Sequence, residues 1–547
     1  MTIKRIILTV LTVLAILLAG VSLWESWQQP QIQSRLELYQ TNLLLQASQW
    51  QPQDKADQNL SSARNTLLGE KPLEEATEQY LAARKSAIKN LHKAQAQLKE
   101  LRSQPPSTPA TPKPGSEIAP TTDTSRLRQQ QIFQQSINQL EKLIAELDLR
   151  LGILQVQQGK VDVALKTWDR VGQGSRGAQE PRGRGEIQNS LAPSPQPPAP
   201  DLGETANVLS GLWSDPARLL PDAQQIIQAN LDGWFRDRTL SRLYQLQQRQ
   251  ASLEELEATN QAAAELALLK LAIIGSIPAA AGFTGLGLIV FLLVQRLRKG
   301  KESLLAQNED TAWSTPWTGE TVWQVFIVGF FLMGQILVPI ALTVLNVKPT
   351  VGNVRMQAFY VLINYLLLAG GGLGILYLSI KQFFPLPKDW FRLNLFGYWW
   401  LWGLGGYCVA LPLVILVSVI NQQLWQGQGG SNPLLSLALE SQDQVALGIF
   451  FFTAGIAAPF FEEFLFRGFL LPSLTRYLPV WGAIVVSSLL FAIAHLSLSE
   501  ILPLTVLGMV LGVVYTRSRN LLSSMLLHSL WNSGTLLSLF ILGSSSR

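Results

Sequence analysis

From residue 271 to residue 542 the chain passes through one long apolar run after another, with little charge between them. A helix needs about 20 predominantly apolar residues to cross the hydrocarbon core of a bilayer. Eight segments approach or exceed that length: 271–295, 322–346, 356–380, 396–420, 445–471, 480–497, 500–516 and 521–542. A ninth lies at the N-terminus, where Lys4 and Arg5 precede an apolar run to about Trp24. A signal peptide has the same polarity, but the run is long enough to span and no convincing small-x-small cleavage site follows it. It is read as an uncleaved anchor. The expected fold is therefore all-α: a polytopic helical membrane bundle with about eight spans in the C-terminal half, plus one N-terminal anchor.

Residues 27–265 differ in kind, being rich in Gln, Arg, Glu and Pro. Over the whole chain 48% of residues are hydrophobic and 15% are charged, and this average conceals a soluble segment beside a membrane-embedded one. The soluble segment shows apolar residues at helical spacing, from Leu73 to Leu101, from near Ser125 to about Val171, and from Thr205 to Leu269. Two stretches, 104–122 and 172–201, carry too little apolar surface to fold and read as flexible linkers. Within 140–171, Leu151, Gly152, Gly159, Ala164, Trp168 and Val171 fit a tetratricopeptide-like helical hairpin. Gly152 would allow close helix packing, with Ala164 and Trp168 filling the seam; a plain hairpin is the alternative. The expected domains are an anchor at 1–26, a soluble helical domain at 27–265, the first part of the membrane bundle at 271–395, and a second part at 396–542.

Charge sets the expected topology. Cytoplasmic loops carry an excess of Lys and Arg. Lys4 and Arg5 put the N-terminus in the cytoplasm and residues 27–265 on the opposite side. Arg296, Arg298, Lys299 and Lys301, then Lys381, Lys388 and Arg392, then Arg476, Arg517 and Arg519, all fall on the cytoplasmic side of alternating spans. Lys348 and Arg355 are exceptions. The net charge of +5 is read as membrane anchoring. No interleaving of aromatic and basic residues argues for a nucleic-acid partner. Cys408, the one cysteine, excludes an internal disulfide and a Cys-based zinc cage.

The chain has three histidines, and two of them, His495 and His528, fall in apolar spans. Ionisable groups at such depth are costly and mark function by default. They belong to three short motifs: Glu462-Glu463-Phe464-Leu465-Phe466-Arg467, Phe491-Ala492-Ile493-Ala494-His495, and His528-Ser529-Leu530-Trp531-Asn532. Glu463 and Arg467 are four apart and can pair along one helix face. Glu462 would point about 100° away from that pair and stay free to act as a base. His528 and Asn532, also four apart, project together and could grip a carbonyl or its oxyanion. Counting from a turn at Tyr477-Leu478-Pro479, Glu462 and His495 reach about the same depth, where a carboxylate and an imidazole could activate water.

These three motifs resemble those of the CPBP, or Abi, family of intramembrane proteases, which includes the type II CAAX prenyl endopeptidases. The family pattern is Glu-Glu-x-x-x-Arg, Phe-x-x-x-His and His-x-x-x-Asn/Asp, and the resemblance covers about 396–542. It implies Glu462 as general base, His495 polarising the water, His528 and Asn532 as the oxyanion site, and Glu463 and Arg467 as support. It implies a glutamate mechanism with no cofactor; were zinc used instead, Glu462, His495 and His528 would be its ligands.

The expected partners are the lipid bilayer, a protein or peptide substrate in or at the membrane, and a protein partner for residues 27–265. The alternative function is a non-catalytic scaffold of the same fold. A transporter is disfavoured, because no inverted repeat or paired broken helices are evident. The run Tyr398-Trp399-Trp400-Leu401-Trp402 is read as an interfacial belt. Gly370, Gly371, Gly372 and Gly374 are read as helix-packing residues.

Overall fold

The computed structural model describes residues 2–28, 33–52, 68–103, 122–178, 202–348, 353–425, 428–440 and 443–544. Among these residues every extended element is helical and no β-strand occurs. The chain divides into two compact units, Glu37–Leu271 on one hand and Met1–Leu36 with Ala272–Ser544 on the other.

The first unit contains α2 (Gln33–Ala47, from Glu37 on), α3 (Pro72–Ser103), α4 (Thr122–Gln157), α5 (Val161–Ala178), α6 (Leu202–Trp213), α7 (Ala223–Asn230), α8 (Gly233–Leu246) and the start of α9 (Gln250–Lys299). α4 ends because Gly159 takes a φ of +78°, while Lys160 N–H returns to the Gln155 carbonyl at 2.9 Å. That left-handed turn closes the last carbonyls of a helix and suits a residue without Cβ. α5 then folds back on α4. A Cβ on Gly152 would lie 2.1 Å from Nε1 of Trp168, so only glycine admits that indole. Trp168 is fully buried and donates to the Leu149 carbonyl at 3.1 Å, and Ala164 is buried beside it. Tyr80, Leu154, Leu209, Phe235 and Leu243 extend this core. Burial pushes the Tyr80 phenol up to about 12, against the opposing pull of Arg150.

Of the linker expected at 172–201, the first residues are helical, since α5 continues to Ala178; residues 179–201 lie outside the described ones. The linker expected at 104–122 also lies outside them, except Thr122, which opens α4.

The second unit is the membrane bundle. Eight helices are long and apolar enough to cross a bilayer: α1 (Ile3–Gln28), α9, α10 (Gly319–Val344), α11 (Val354–Ile380), α12 (Trp399–Trp425), α14 (Gln444–Leu474), α16 (Ile501–Ser518) and α17 (Leu521–Gly543), with a short α13 (Pro433–Glu440) before α14. The protein is an integral, multi-pass membrane protein. One expectation needs correction: 480–497 is not a full span. α15 (Val480–Ile493) has only 14 residues, and His495 lies beyond its end. The chain leaves the helix there because Ser499 N–H and Oγ bond the Gly429 and Gly430 carbonyls, and Leu498 N–H bonds Ser26 Oγ. Distant backbone thus replaces the next helical turn.

Close helix packing rests on few positions. A Cβ on Gly285 of α9 would meet the Cys408 carbonyl of α12 at 1.8 Å. On α11, Gly372 would meet the Gly329 carbonyl at 2.9 Å and the Phe461 ring at 3.0 Å, and Gly371 would meet Met333 Sδ at 2.6 Å. Gly370 and Gly374 face open space, so only two of the four expected glycines serve packing.

α1 is tied to the bundle at both ends. Lys4 and Arg5 pair with Glu320 at 3.2 and 2.8 Å, and Thr12 accepts from Trp323 at 2.7 Å. At the other end Ser26 donates to Gly429, and Trp27 meets Trp425 edge-on at 6.5 Å. The loops near residues 300–318, 381–398, 475–479 and 517–520 gather at one end of the bundle. Trp313 donates to Asp389, Arg476 to Trp317, Asn308 to Arg517, and Arg519 to Thr311. Most of the basic loop residues named above sit there. On the other side Arg355 pairs with Asp443 at 2.6 Å.

Candidate active site

The candidate site sits where α14 is broken. Pro459 has no N–H, so a carbonyl one turn back loses its backbone donor. The helix is wound as a π-helix over Thr453–Ala457, and again over Glu463–Leu470. In the wider register Pro459 would face Ala454, and in the α register Gly455. Both carbonyls are served from α17: Asn532 Nδ2 donates to Ala454 at 2.8 Å, and Ser529 Oγ donates to Gly455. In a bilayer such carbonyls need a protein donor, because no solvent is at hand. Gly455 permits the approach, since a Cβ there would reach Ser533 Oγ at 2.8 Å. Asn532 thus spends one amide hydrogen on the broken helix next to Glu462.

Glu463 lies on the buried side. Its Oε1 accepts from Arg467 Nη1 at 2.8 Å and from His528 Nδ1 at 2.9 Å. All three residues are buried, as is Phe491, whose ring lies 4.4 Å from the Arg467 guanidinium. Arg467 also donates to the Gly508 carbonyl at 3.2 Å. Isolated charges could not stay ionised in this apolar core, and mutual pairing is what makes their burial tolerable.

Glu462 faces elsewhere. Its Oε1 accepts from the Tyr365 hydroxyl at 3.2 Å, and its Oε2 lies 3.8 Å from His528 Nε2. Oε2 is buried and has no hydrogen-bond partner within the protein. With Nδ1–H given to Glu463, a neutral His528 ring presents a lone pair at Nε2. Carboxylate and imidazole then face one another as two acceptors. A water whose two hydrogens point at both would turn its own lone pairs outward.

His495 is placed differently from the expectation. It does not pair with Glu462; its Nδ1 bonds the Phe491 carbonyl at 2.9 Å. A carbonyl can only accept, so Nδ1 carries the hydrogen and Nε2 is the ring nitrogen not engaged by Phe491. The Phe491 ring meets His495 at 4.9 Å and His528 at 5.7 Å, edge-on in both cases. Phe491 is therefore the spacer between the two imidazoles. Among the described residues no three His, Cys, Asp or Glu side chains are gathered closely enough to hold a metal ion. Glu462, His495 and His528 do not assemble as a zinc-ligand set.

Residues 444–534 match the family described as type II CAAX prenyl endopeptidase Rce1-like. This segment is the part of the chain that is similar to that family. It contains Glu462, Glu463, Arg467, His495, His528 and Asn532, and it comprises α14 to most of α17. The chain is similar to UPF0177 protein YxdF of Lactococcus lactis, with 29% identity over 26% of this chain and 75% of that protein. It is also similar to the membrane-embedded CAAX protease MroQ of Staphylococcus aureus, with 27% identity over 24% of this chain and 54% of that protein. The chain thus spans about half the length of the second relative. No solved structure matches it.

Sequence reasoning missed Tyr365. It lies on α11, outside the matched segment 444–534 and outside 396–542, in an apolar run with no motif around it. The one available signal was a phenol inside a membrane span.

Proposed function

We propose that this protein is an intramembrane endopeptidase of CAAX-protease-like type, hydrolysing peptide bonds of membrane-associated substrates. The observation that carries this reading is the approach of Glu462 Oε2, buried and without a hydrogen bond in the protein, to within 3.8 Å of Nε2 of the buried His528. Two acceptors converging on one water favour its attack on a carbonyl carbon. As the new C–O bond forms, the water proton passes to Glu462 Oε2. That proton then moves to the amide nitrogen as the C–N bond breaks, releasing an amine and a carboxyl terminus. Glu463 holds His528 in the tautomer that aims its lone pair at the water. Arg467 keeps Glu463 charged and in place.

The oxyanion that develops on the carbonyl needs donors. Asn532 has a second amide hydrogen beyond the one given to Ala454, and we assign it to this task. His495, set apart by Phe491, would act on the substrate side of the water. The mechanism thus departs from the sequence expectation in two respects: His528, in place of His495, is the partner of Glu462, and Asn532 serves the oxyanion without His528.

The test uses purified full-length protein in proteoliposomes with a fluorogenic, lipid-anchored peptide. Glu462→Gln and His528→Ala should each lose cleavage while still inserting and accumulating. Wild-type cleavage by both variants would remove Glu462 and His528 from the reaction, and no cleavage by the wild-type protein would leave the scaffold reading standing.

Orientation belongs to the same proposal. The end of the bundle bearing Arg296, Arg476 and Arg519 is assigned to the cytoplasm, and the soluble unit to the opposite side. In a Cys408→Ala background, Lys160→Cys should react with an impermeant maleimide added outside intact cells. Labelling only after permeabilisation would reverse the assignment.

A further inference from the structure

The carboxylate of Glu462 has two oxygens in unlike surroundings. Oε2 looks toward His528 and has no hydrogen bond within the protein, whereas Oε1 accepts from the Tyr365 hydroxyl at 3.2 Å. The contact joins residues 97 positions apart, from helices that the chain's local pattern does not relate. It exists because α11 comes unusually close to α14. A Cβ on Gly372, two turns along α11 from Tyr365, would lie 3.0 Å from the ring of Phe461, the residue before Glu462. The Tyr365 ring itself meets Phe461 edge-on at 6.1 Å, and Phe461 stacks on Phe330 of α10 at 6.5 Å. The phenol is thus held in place by packing on its own helix's close approach.

We propose that Tyr365 is a positioning residue for the hydrolytic step: it donates to Glu462 Oε1 and so fixes Oε2 as the oxygen that takes the proton from water. Without that bond the carboxylate could rotate and exchange its oxygens, or turn away from His528. With it, one oxygen is engaged and the other is aimed. The working site therefore extends beyond the matched segment 444–534 to α11, and α10 backs it through Phe330. This inference rests on the reading of Glu462 as base.

The experiment compares Tyr365→Phe with wild type in proteoliposomes, using the lipid-anchored peptide. Phenylalanine keeps the ring and removes only the hydroxyl. A hydrogen bond to a charged group contributes enough that kcat should fall about ten- to a hundredfold, with KM and the thermal unfolding midpoint unchanged. Incorporating 3-fluorotyrosine and 3,5-difluorotyrosine at position 365 gives a second readout that a purely structural role would not move. Their sharper hydroxyl acidity should change kcat in graded order. A wild-type kcat in Tyr365→Phe, or a loss accompanied by an equal drop in unfolding midpoint and no graded response, would overturn the proposal. Glu462→Gln separates the two claims. If it is inactive while Tyr365→Phe is fully active, only the role of Tyr365 fails. If Glu462→Gln itself cleaves normally, the reading of the base fails and this inference falls with it.

Discussion

Oε1 of Glu463 is shared by two donors, Arg467 Nη1 at 2.8 Å and His528 Nδ1 at 2.9 Å, so one oxygen joins the ends of two motifs 65 residues apart. The adjacent Glu462 has no such ion pair within its own helix and meets His528 from the other ring nitrogen. The two neighbouring glutamates thus differ in what their removal should do.

Glu463→Gln leaves Arg467 buried beside a neutral amide. Breaking a buried pair in this way costs about 3–5 kcal/mol. The unfolding midpoint in detergent should drop clearly, and cleavage should be lost with it. Glu462→Gln should lose cleavage and keep its midpoint. Equal midpoints for the two variants would contradict the division of roles.

Gly152→Ala tests the soluble hairpin. A methyl group 2.1 Å from Trp168 Nε1 must displace the indole from its bond to Leu149. Overpacking of this kind costs about 1–3 kcal/mol. Limited proteolysis of the full-length chain should cut within 122–178 at lower protease concentration than in wild type, and Trp168 fluorescence should shift toward the exposed range.

Gly285→Val tests the packing of α9 on α12. No side chain fits against a carbonyl 1.8 Å from the Cβ position, so the helices must part. Cys408, the sole cysteine, then serves as reporter. Its labelling by a membrane-permeant maleimide should speed up severalfold. An unchanged rate would show that α9 can shift without opening this contact.

Asp443 supplies a pH test outside the spans. The Ala446 N–H that it caps, and then Arg355, hold its carboxyl below the ordinary aspartate range. A depressed folded value contributes stability that is present above the unfolded value, about 3.9, and is lost as pH falls through the folded one. Amide exchange at the start of α14 should therefore accelerate only below about pH 4. Asp443→Asn should remove that step. A transition at neutral pH would assign it to another group.

Ser26→Ala tests the clamp between α1 and the His495 loop. Ser26 donates to Gly429 and accepts from Leu498, and Gly429 also receives Ser499. The substitution removes both bonds of the hydroxyl, each worth about 1 kcal/mol, or roughly a five- to thirtyfold fall in turnover if the loop must hold still. Faster amide exchange at 497–500 with unchanged exchange in α17 is the expected companion. Wild-type turnover with loosened exchange would show that the loop's rigidity is not needed.

What could be read directly was local. Spans follow from apolar length, because the bilayer admits little else, and the pair Glu463–Arg467 follows from separation along one helix. The reading of α14 as a regular helix was too simple. Pro459 and the π-helical turns over Thr453–Ala457 and Glu463–Leu470 interrupt the regular helix that local spacing assumes, while Glu462 and Glu463 still face different ways. The 14-residue length of α15 was also hidden, since the apolar run continues past its end and only the bonds from 497–499 to Gly429, Gly430 and Ser26 stop the helix.

The sequence by itself determined that this chain is a multi-pass helical membrane protein, and which few polar residues must share its interior, because hydrophobic length and the cost of buried charge are properties of the segments themselves. Only the tertiary structure decided that His528 stands between the two glutamates, that Asn532 and Ser529 serve the carbonyls of Ala454 and Gly455 opposite Pro459, and that Tyr365 reaches Glu462. Those relations depend on how closely separate helices approach and how they are rotated. Glycines, aromatic packing and a break in one helix set that geometry, and no short stretch of sequence encodes it.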